Sequence, residues 1–214
     1  MYTLYGYKSS GSVAVEATLT LIGAPYRLID AALWGDAEAQ DRARAANPLG
    51  QIPALITPSG ELMTESAAIL IWLADSHPEA ALSPTLDATE RPAFLRWMAY
   101  VAAEIYALYW VRDDLSRLAA DEAHQAVIDQ RTRERISFCW RMMDTQITPG
   151  RFLVGETLSV LDLYVAVVSR WKPGRARFYE EAPKLAEVVR RVDDHPRLTE
   201  LWSGRFPTAD GHEG

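Results

Sequence analysis

The chain predicts a small α/β unit over residues 1–76, a linker over 77–88 and an all-helical unit over 89–214. Two observations carry this. The first third switches repeatedly between short β-prone runs and helical stretches. Beyond about residue 90 the apolar pattern is almost wholly helical. Apolar residues make up 49% of the 214 positions and include 7 Trp, enough to bury a sizeable core.

Tyr2–Tyr5 is the first β-prone run. Ser9-Ser10-Gly11-Ser12 is a turn and cap cluster ahead of Val13–Ile22, whose period is ambiguous. Gly23 and Pro25 read as a helix stop and favour a helix there. Tyr26–Ile29 is the next strand, and Ala37–Ala46, rich in Ala, Glu, Gln and Arg, the next helix. After the Asn47–Gly50 turn, Ala54–Ile56 and Leu62–Met63 flank Pro58-Ser59-Gly60 as a hairpin. Thr64 or Glu65 opens an apolar helix through Ala74. The order β-α-β-α-β-β-α begins with a segment able to form a right-handed crossover.

In the second unit, Arg91–Leu118 reads as one long helix with an aromatic face, and Glu122–Ile147 as another. Pro149-Gly150 ends it. Ser159–Trp171 is uniformly apolar and is expected to be buried, with Asp162 three residues after Ser159 as a capping-box variant. Pro183–Val192 and Pro196–Trp202 are shorter helices.

With 22 basic and 29 acidic residues the net charge is −7, which argues against nucleic acid or an anionic membrane as main partner. Cys139 is the single cysteine, so an internal disulfide, a C-x-x-C pair and a multi-cysteine metal site are excluded. MYTLYGY lacks the marks of a signal peptide, and no window of about 18 apolar residues is free of charge. The expected location is cytoplasmic.

Three places could carry chemistry. Ile52-Pro53 stands between a turn and a strand, where an ordinary trans proline is tolerated. A cis bond costs only about 0.5–1 kcal/mol over trans, and would let Ile52 offer both its N–H and C=O to an extended peptide. Glu65-Ser66 starts a helix whose first N–H groups lack partners, which suits a ligand carboxylate on Ser66 and a ligand ammonium on Glu65. A plain acidic helix cap is the competing explanation. One of Ser9, Ser10 and Ser12 is expected to be the N-cap. A hydroxyl among them could also donate to a sulfur anion, which needs no base; His77 and His124 lie elsewhere, so a Ser-His-Asp hydrolase is poorly supported.

Taken together, Leu4-Tyr5, Ser9-Ser10-Gly11-Ser12, Gly23-Ala24-Pro25-Tyr26, Asn47-Pro48-Leu49-Gly50-Gln51-Ile52-Pro53-Ala54-Leu55 and Leu62-Met63-Thr64-Glu65-Ser66-Ala67-Ala68-Ile69 resemble the N-terminal domain of bacterial and other cytosolic glutathione S-transferases. Ser159-Val160-Leu161-Asp162 resembles the helix-capping motif of that family's C-terminal domain. The resemblance covers the whole chain.

It implies a thioredoxin-like first domain, with glutathione as co-substrate, no metal, and a homodimer. The Ile52 backbone would pair with the cysteinyl part of glutathione ahead of Pro53. Glu65 and Ser66 would hold the γ-glutamyl amine and carboxylate, with Gln51 near the glycyl end. Ser9 falls where serine-type members (theta-, zeta- and tau-like) carry the hydroxyl that stabilises the thiolate, and Ser10 adjoins it. Gly11 stands where beta- and zeta-like members carry cysteine, a departure from thiol-based chemistry. Tyr106, Tyr109 and Trp110 lie on the helix that lines the pocket for a small hydrophobic electrophile, although core packing explains some of them. Ser159 and Asp162 would serve folding. The implied activity is transfer of glutathione as a thiolate. A glutathione-dependent isomerase, peroxidase or dehalogenase, or a non-catalytic binding protein on the same fold, are the alternatives.

Overall fold

The computed structural model describes residues 1–206; residues 207–214, part of the helical unit expected to reach 214, lie outside the described residues. The α/β unit runs β1 (Tyr2–Gly6), α1 (Ser12–Ile22), β2 (Tyr26–Asp30), α2 (Ala37–Ala46), β3 (Ala54–Ile56), β4 (Leu62–Met63) and α3 (Ser66–Ser76). The sheet order is β2-β1-β3-β4, with β1 parallel to β2 and antiparallel to β3, and β3 antiparallel to β4. This is a thioredoxin-like arrangement.

The ambiguous period of α1 has a physical reason. Nine of its residues, from Ser12 to Leu19 and again at Leu21, are buried, because α1 packs against α3 and against the helical unit at once. A helix covered on most sides shows no clean stripe. Its stop is as the glycine predicted: Gly23 is left-handed at φ 79°, and the N–H groups of Gly23 and Ala24 both return to the Leu19 carbonyl.

The helical unit consists of α4 (Arg91–Tyr100), α5 (Ala107–Asp113), α6 (Glu122–Gln146), α7 (Val160–Val168), α8 (Arg175–Glu181), α9 (Pro183–Asp193) and α10 (Thr199–Arg205). The single helix expected over 91–118 is corrected by the structure. A π-helical segment, Val101–Tyr106, separates α4 from α5, and α5 ends at Asp113 before a 3₁₀ turn at Leu115–Arg117. The Ala107 N–H reaches back five residues to the Ala102 carbonyl, so the wider turn changes which side chains face inward. α8 was not anticipated, and α10 begins three residues later than expected.

One continuous apolar core links the two units, from Leu4 and Leu55 through Leu19 and Leu70 to Phe94, Met98 and Tyr164. All nine residues of α7 are buried, as its uniform composition implied. A small second cluster lies on the other face of the sheet, where Ala31, Ala32, Ala43 and Ile52 pack with Tyr5, Tyr7 and Leu33. Between the units, a 3₁₀ turn at Pro78–Ala80 leads toward α4, and Arg91 grips the Asp75 carboxylate with both terminal nitrogens at 2.7 and 2.6 Å. The Arg91 bonds hold the Asp75 carboxyl below its ordinary value. None of the described helices is long and apolar enough to cross a membrane.

Candidate functional site

The Ser9–Ser12 turn is built from backbone and hydroxyls of distant origin. Ser9 is left-handed at φ 58°. Its N–H and its hydroxyl both donate to the Arg205 carbonyl, at 3.1 and 3.2 Å, and its own carbonyl accepts from the Trp171 indole at 2.8 Å. The Ser10 hydroxyl donates to the Tyr7 carbonyl at 2.7 Å and lies 2.8 Å from the Ser12 hydroxyl, which accepts from the Tyr7 N–H at 3.0 Å. Ser10 and Ser12 are buried. The expectation that a serine occupies the N-cap of α1 is corrected: Gly11 stands there, without a side-chain cap. The serine hydroxyls are turned back onto Tyr7 and onto the C-terminal helix instead.

Gly11 is also where the helical unit comes closest. A Cβ at this position would fall within the Tyr106 hydroxyl and 2.8 Å from the Tyr106 Cε2. The Tyr106 ring stacks on Tyr164 at 6.0 Å and meets the edge of Trp171 at 4.9 Å. The Tyr164 hydroxyl lies 2.8 Å from that of Ser66, the first residue of α3. Tyr106 and Tyr164 both feel the Glu65 charge, and burial pushes both phenols upward. The Ser9–Ser12 turn and Glu65-Ser66, far apart in sequence, thus meet through two tyrosines.

Ile52-Pro53 is a cis bond, one of two among the described residues with Lys172-Pro173. Ile52 packs in the small cluster with Tyr7, the residue on which Ser10 and Ser12 are anchored. No hydrogen bond among the described residues uses its N–H or C=O. Asn47 holds the preceding loop: its side chain donates to the Gln51 carbonyl at 3.0 Å and accepts from the Leu49 N–H at 3.1 Å. The Gln51 side chain is exposed.

Glu65 is exposed, left-handed at φ 64°, and makes no side-chain cap to α3. The plain acidic cap is therefore not what the structure contains. Its carboxylate has no ion-pair partner among the described residues, beside α3 N–H groups that precede the first intrahelical bond at Ile69. Three non-glycine residues among those described have positive φ, and two of them are Ser9 and Glu65. Such conformations cost about 1–3 kcal/mol each and collect at ligand sites.

The three aromatic residues expected in the acceptor pocket part ways. Tyr106 faces the turn. Tyr109 is buried against Trp171, its hydroxyl 3.4 Å from the Trp171 carbonyl. Trp110 is 44% exposed, with the Arg117 guanidinium 4.8 Å over its ring. Ser159 and Asp162 sit apart from all of these. The buried Asp162 carboxylate accepts from the Ser159 N–H and hydroxyl, both at 2.7 Å, and from the Leu153 N–H at 2.8 Å.

Sequence reasoning missed Asn47, Tyr164, Trp171 and Arg205. Asn47 was legible as a turn former, but the other three act through contacts 98 to 196 residues long in sequence.

A two-domain protein, with a thioredoxin-like α/β unit packed on a helical unit through one continuous apolar core, is the class this geometry defines. Comparison with known proteins narrows it. The pattern for the glutathione S-transferase N-terminal domain matches residues 9–76, and that for the C-terminal domain matches residues 111–203. The chain belongs to the glutathione S-transferase family. It is 28% identical over 202 residues to the uncharacterised GST-like protein YncG of Escherichia coli, spanning 94% of this chain and 97% of that one. It is 25% identical over 193 residues to the glutathione S-transferase GstA of Escherichia coli, spanning 90% and 92%. A glutathione transferase homologue from Sulfitobacter, solved with bound glutathione, shares the fold with a TM-score of 0.85 at 24% identity, over 95% of this chain and 98% of that one.

Proposed function

We propose that the protein is a glutathione transferase that presents the glutathione sulfur, as thiolate, to a small apolar electrophile. The Ile52 backbone pairs with the cysteinyl part, Glu65 takes the γ-glutamyl ammonium, Ser66 and the α3 amides take its carboxylate, and Gln51 adjoins the glycyl end. The sulfur then lies over the Ser9–Gly11 turn, at the N-terminus of α1, where the helix dipole favours an anion. The electrophile is held by the α4–α5 arm that carries Tyr106, Tyr109 and Trp110.

The observation that carries this reading is Glu65: a left-handed residue whose carboxylate neither caps its helix nor pairs with a cation among the described residues. A charge left free beside unpartnered amides is arranged for a zwitterionic ligand rather than for the fold. Family membership supports the choice of glutathione.

A free thiol has a pKa of about 8.5. Lowering it by about 2 units takes roughly 2.7 kcal/mol, within reach of one charge-assisted hydrogen bond of about 1.5–3 kcal/mol plus the dipole. The thiolate attacks the electrophilic carbon and forms a C–S bond, while the carbon's leaving group departs with its bonding pair or, for a conjugated acceptor, the π pair shifts away and takes a proton from solvent; proximity supplies the remaining acceleration.

The test is retention on glutathione-agarose, calorimetry, then conjugation and isomerisation assays over a panel of electrophiles. Glu65→Ala should weaken glutathione binding about ten- to a hundredfold, the equivalent of one charged hydrogen bond. Binding without turnover on any electrophile would instead support a carrier on the same fold, and wild-type affinity in Glu65→Ala would refute the ligand pose.

A further inference from the structure

Resting on that reading, we infer that Tyr106 of the helical unit, rather than a serine of the turn, donates the hydrogen bond that holds the glutathione sulfur as thiolate, and that Gly11 is the vacancy that admits its hydroxyl.

Four observations converge. First, the serine hydroxyls already have acceptors: Ser9 donates to the Arg205 carbonyl and Ser10 to that of Tyr7, while Ser12 is wholly buried between Tyr7 and Ser10. Donating to a ligand instead would break a bond already made within the protein, whereas a hydroxyl with no internal acceptor has no such bond to give up. Second, Tyr100, Tyr109 and Tyr164 of the helical unit each have a hydrogen-bond partner, whereas the Tyr106 hydroxyl has none among the described residues. The residue as a whole is half-buried rather than sealed in the core.

Third, that hydroxyl fills the volume that a side chain at position 11 would take, directly over the first turn of α1. This is the place where the turn, the helix dipole and a ligand bound at Ile52 and Glu65-Ser66 converge. Fourth, the ring is clamped. Tyr164 stacks on one side and Trp171 packs edge-on, and Trp171 itself is bonded to the Ser9 carbonyl. The donor is thereby fixed relative to the turn before any ligand arrives, and a preorganised donor loses no free energy to reorientation. Tyr106 is the last residue of the π-helical segment, whose extra residue per turn sets the direction of its side chain.

Burial raises the Tyr106 phenol, so the group remains protonated across the physiological range and acts as donor only. The thiol proton passes to solvent as glutathione binds. Tyr106 keeps its own.

The experiment measures the pKa of enzyme-bound glutathione from thiolate ultraviolet absorbance against pH, with the pH profile of kcat/KM alongside, in the wild type, Tyr106→Phe, Gly11→Ala, Ser9→Ala and Ser10→Ala. Tyr106→Phe keeps the ring and its packing. It should raise the bound thiol pKa by about one to two units and lower kcat/KM at pH 7 by about ten- to a hundredfold, while the glutathione Kd moves by less than about threefold. Gly11→Ala should reproduce the shift by displacing the hydroxyl. An unchanged pH profile in Tyr106→Phe, or a shift found in Ser9→Ala and not in Tyr106→Phe, overturns the inference while leaving the transferase reading intact. A wild-type chain that binds no glutathione brings down both.

Discussion

Asp162 accepts three hydrogen bonds in a place sealed from water, and the balance between those bonds and burial is measurable. Burial dominates and pushes its carboxyl up to about 6, from an ordinary value near 4. A group whose native pKa is raised costs stability as pH climbs from its unfolded value through its native one. Between about pH 4 and pH 6 the wild type should lose roughly 3 kcal/mol relative to Asp162→Asn, which has nothing to titrate. Urea unfolding of both proteins across that range checks it, and a difference that stays constant with pH would falsify the assignment. The pairing of Ser159 with Asp162 was legible from a spacing of three residues. The serines of the first turn were legible as hydroxyls next to a helix start, but their partners were not. Ser9 looks like a free donor until Arg205, 196 residues away, is placed against it.

At the scale of elements, those with local punctuation were readable. Gly23 announced the end of α1, and it does so through a left-handed φ of 79° in open space. Gly23→Ala should lower unfolding free energy by about 1–2 kcal/mol through backbone strain alone, with the proposed conjugation activity unchanged; equilibrium denaturation and the electrophile panel measure the two. The hairpin and the start of α3 were equally local, resting on Pro58-Ser59-Gly60 and on Glu65-Ser66. Two elements were not readable. α8 is only seven residues, of which Phe178 alone is buried, so its sequence carries little apolar period. The π segment keeps an uninterrupted apolar and helix-forming sequence, Val101–Tyr106, and one added residue per turn leaves no mark in composition.

Across the whole molecule the two units are joined by more than apolar contact. Glu16, fully buried in α1, pairs with Arg205 of α10 at 2.8 Å, and its second carboxylate oxygen has no partner among the described residues. Burial raises the Glu16 carboxyl, and Arg205 opposes that rise. Arg205→Ala removes the opposing charge and should destabilise the protein by roughly 2–3 kcal/mol at neutral pH, discounted for the partial exposure of Arg205. The deficit should shrink in acid, where Glu16 is protonated in the native state, and grow as pH rises through its raised native pKa. Thermal melts at pH 5 and pH 8 decide it; equal deficits at both would mean that packing and not charge joins α10 to α1. The two-unit plan was visible in the sequence because it follows from period and composition. The seam was not, because a buried glutamate in α1 and an arginine in the last helix carry no signal of each other.

That seam also sets an order of events during synthesis. The Ser9 turn is secured by the carbonyl of Arg205, so its final shape waits for a residue made 196 positions later. At about 5–20 residues per second the ribosome needs roughly 10–40 s to reach it. During that interval the turn has no α10 carbonyl to bond to. On the proposed reading, a product stalled before α10 would lack the tether of the turn over which the sulfur is to lie, and so would carry an incomplete site.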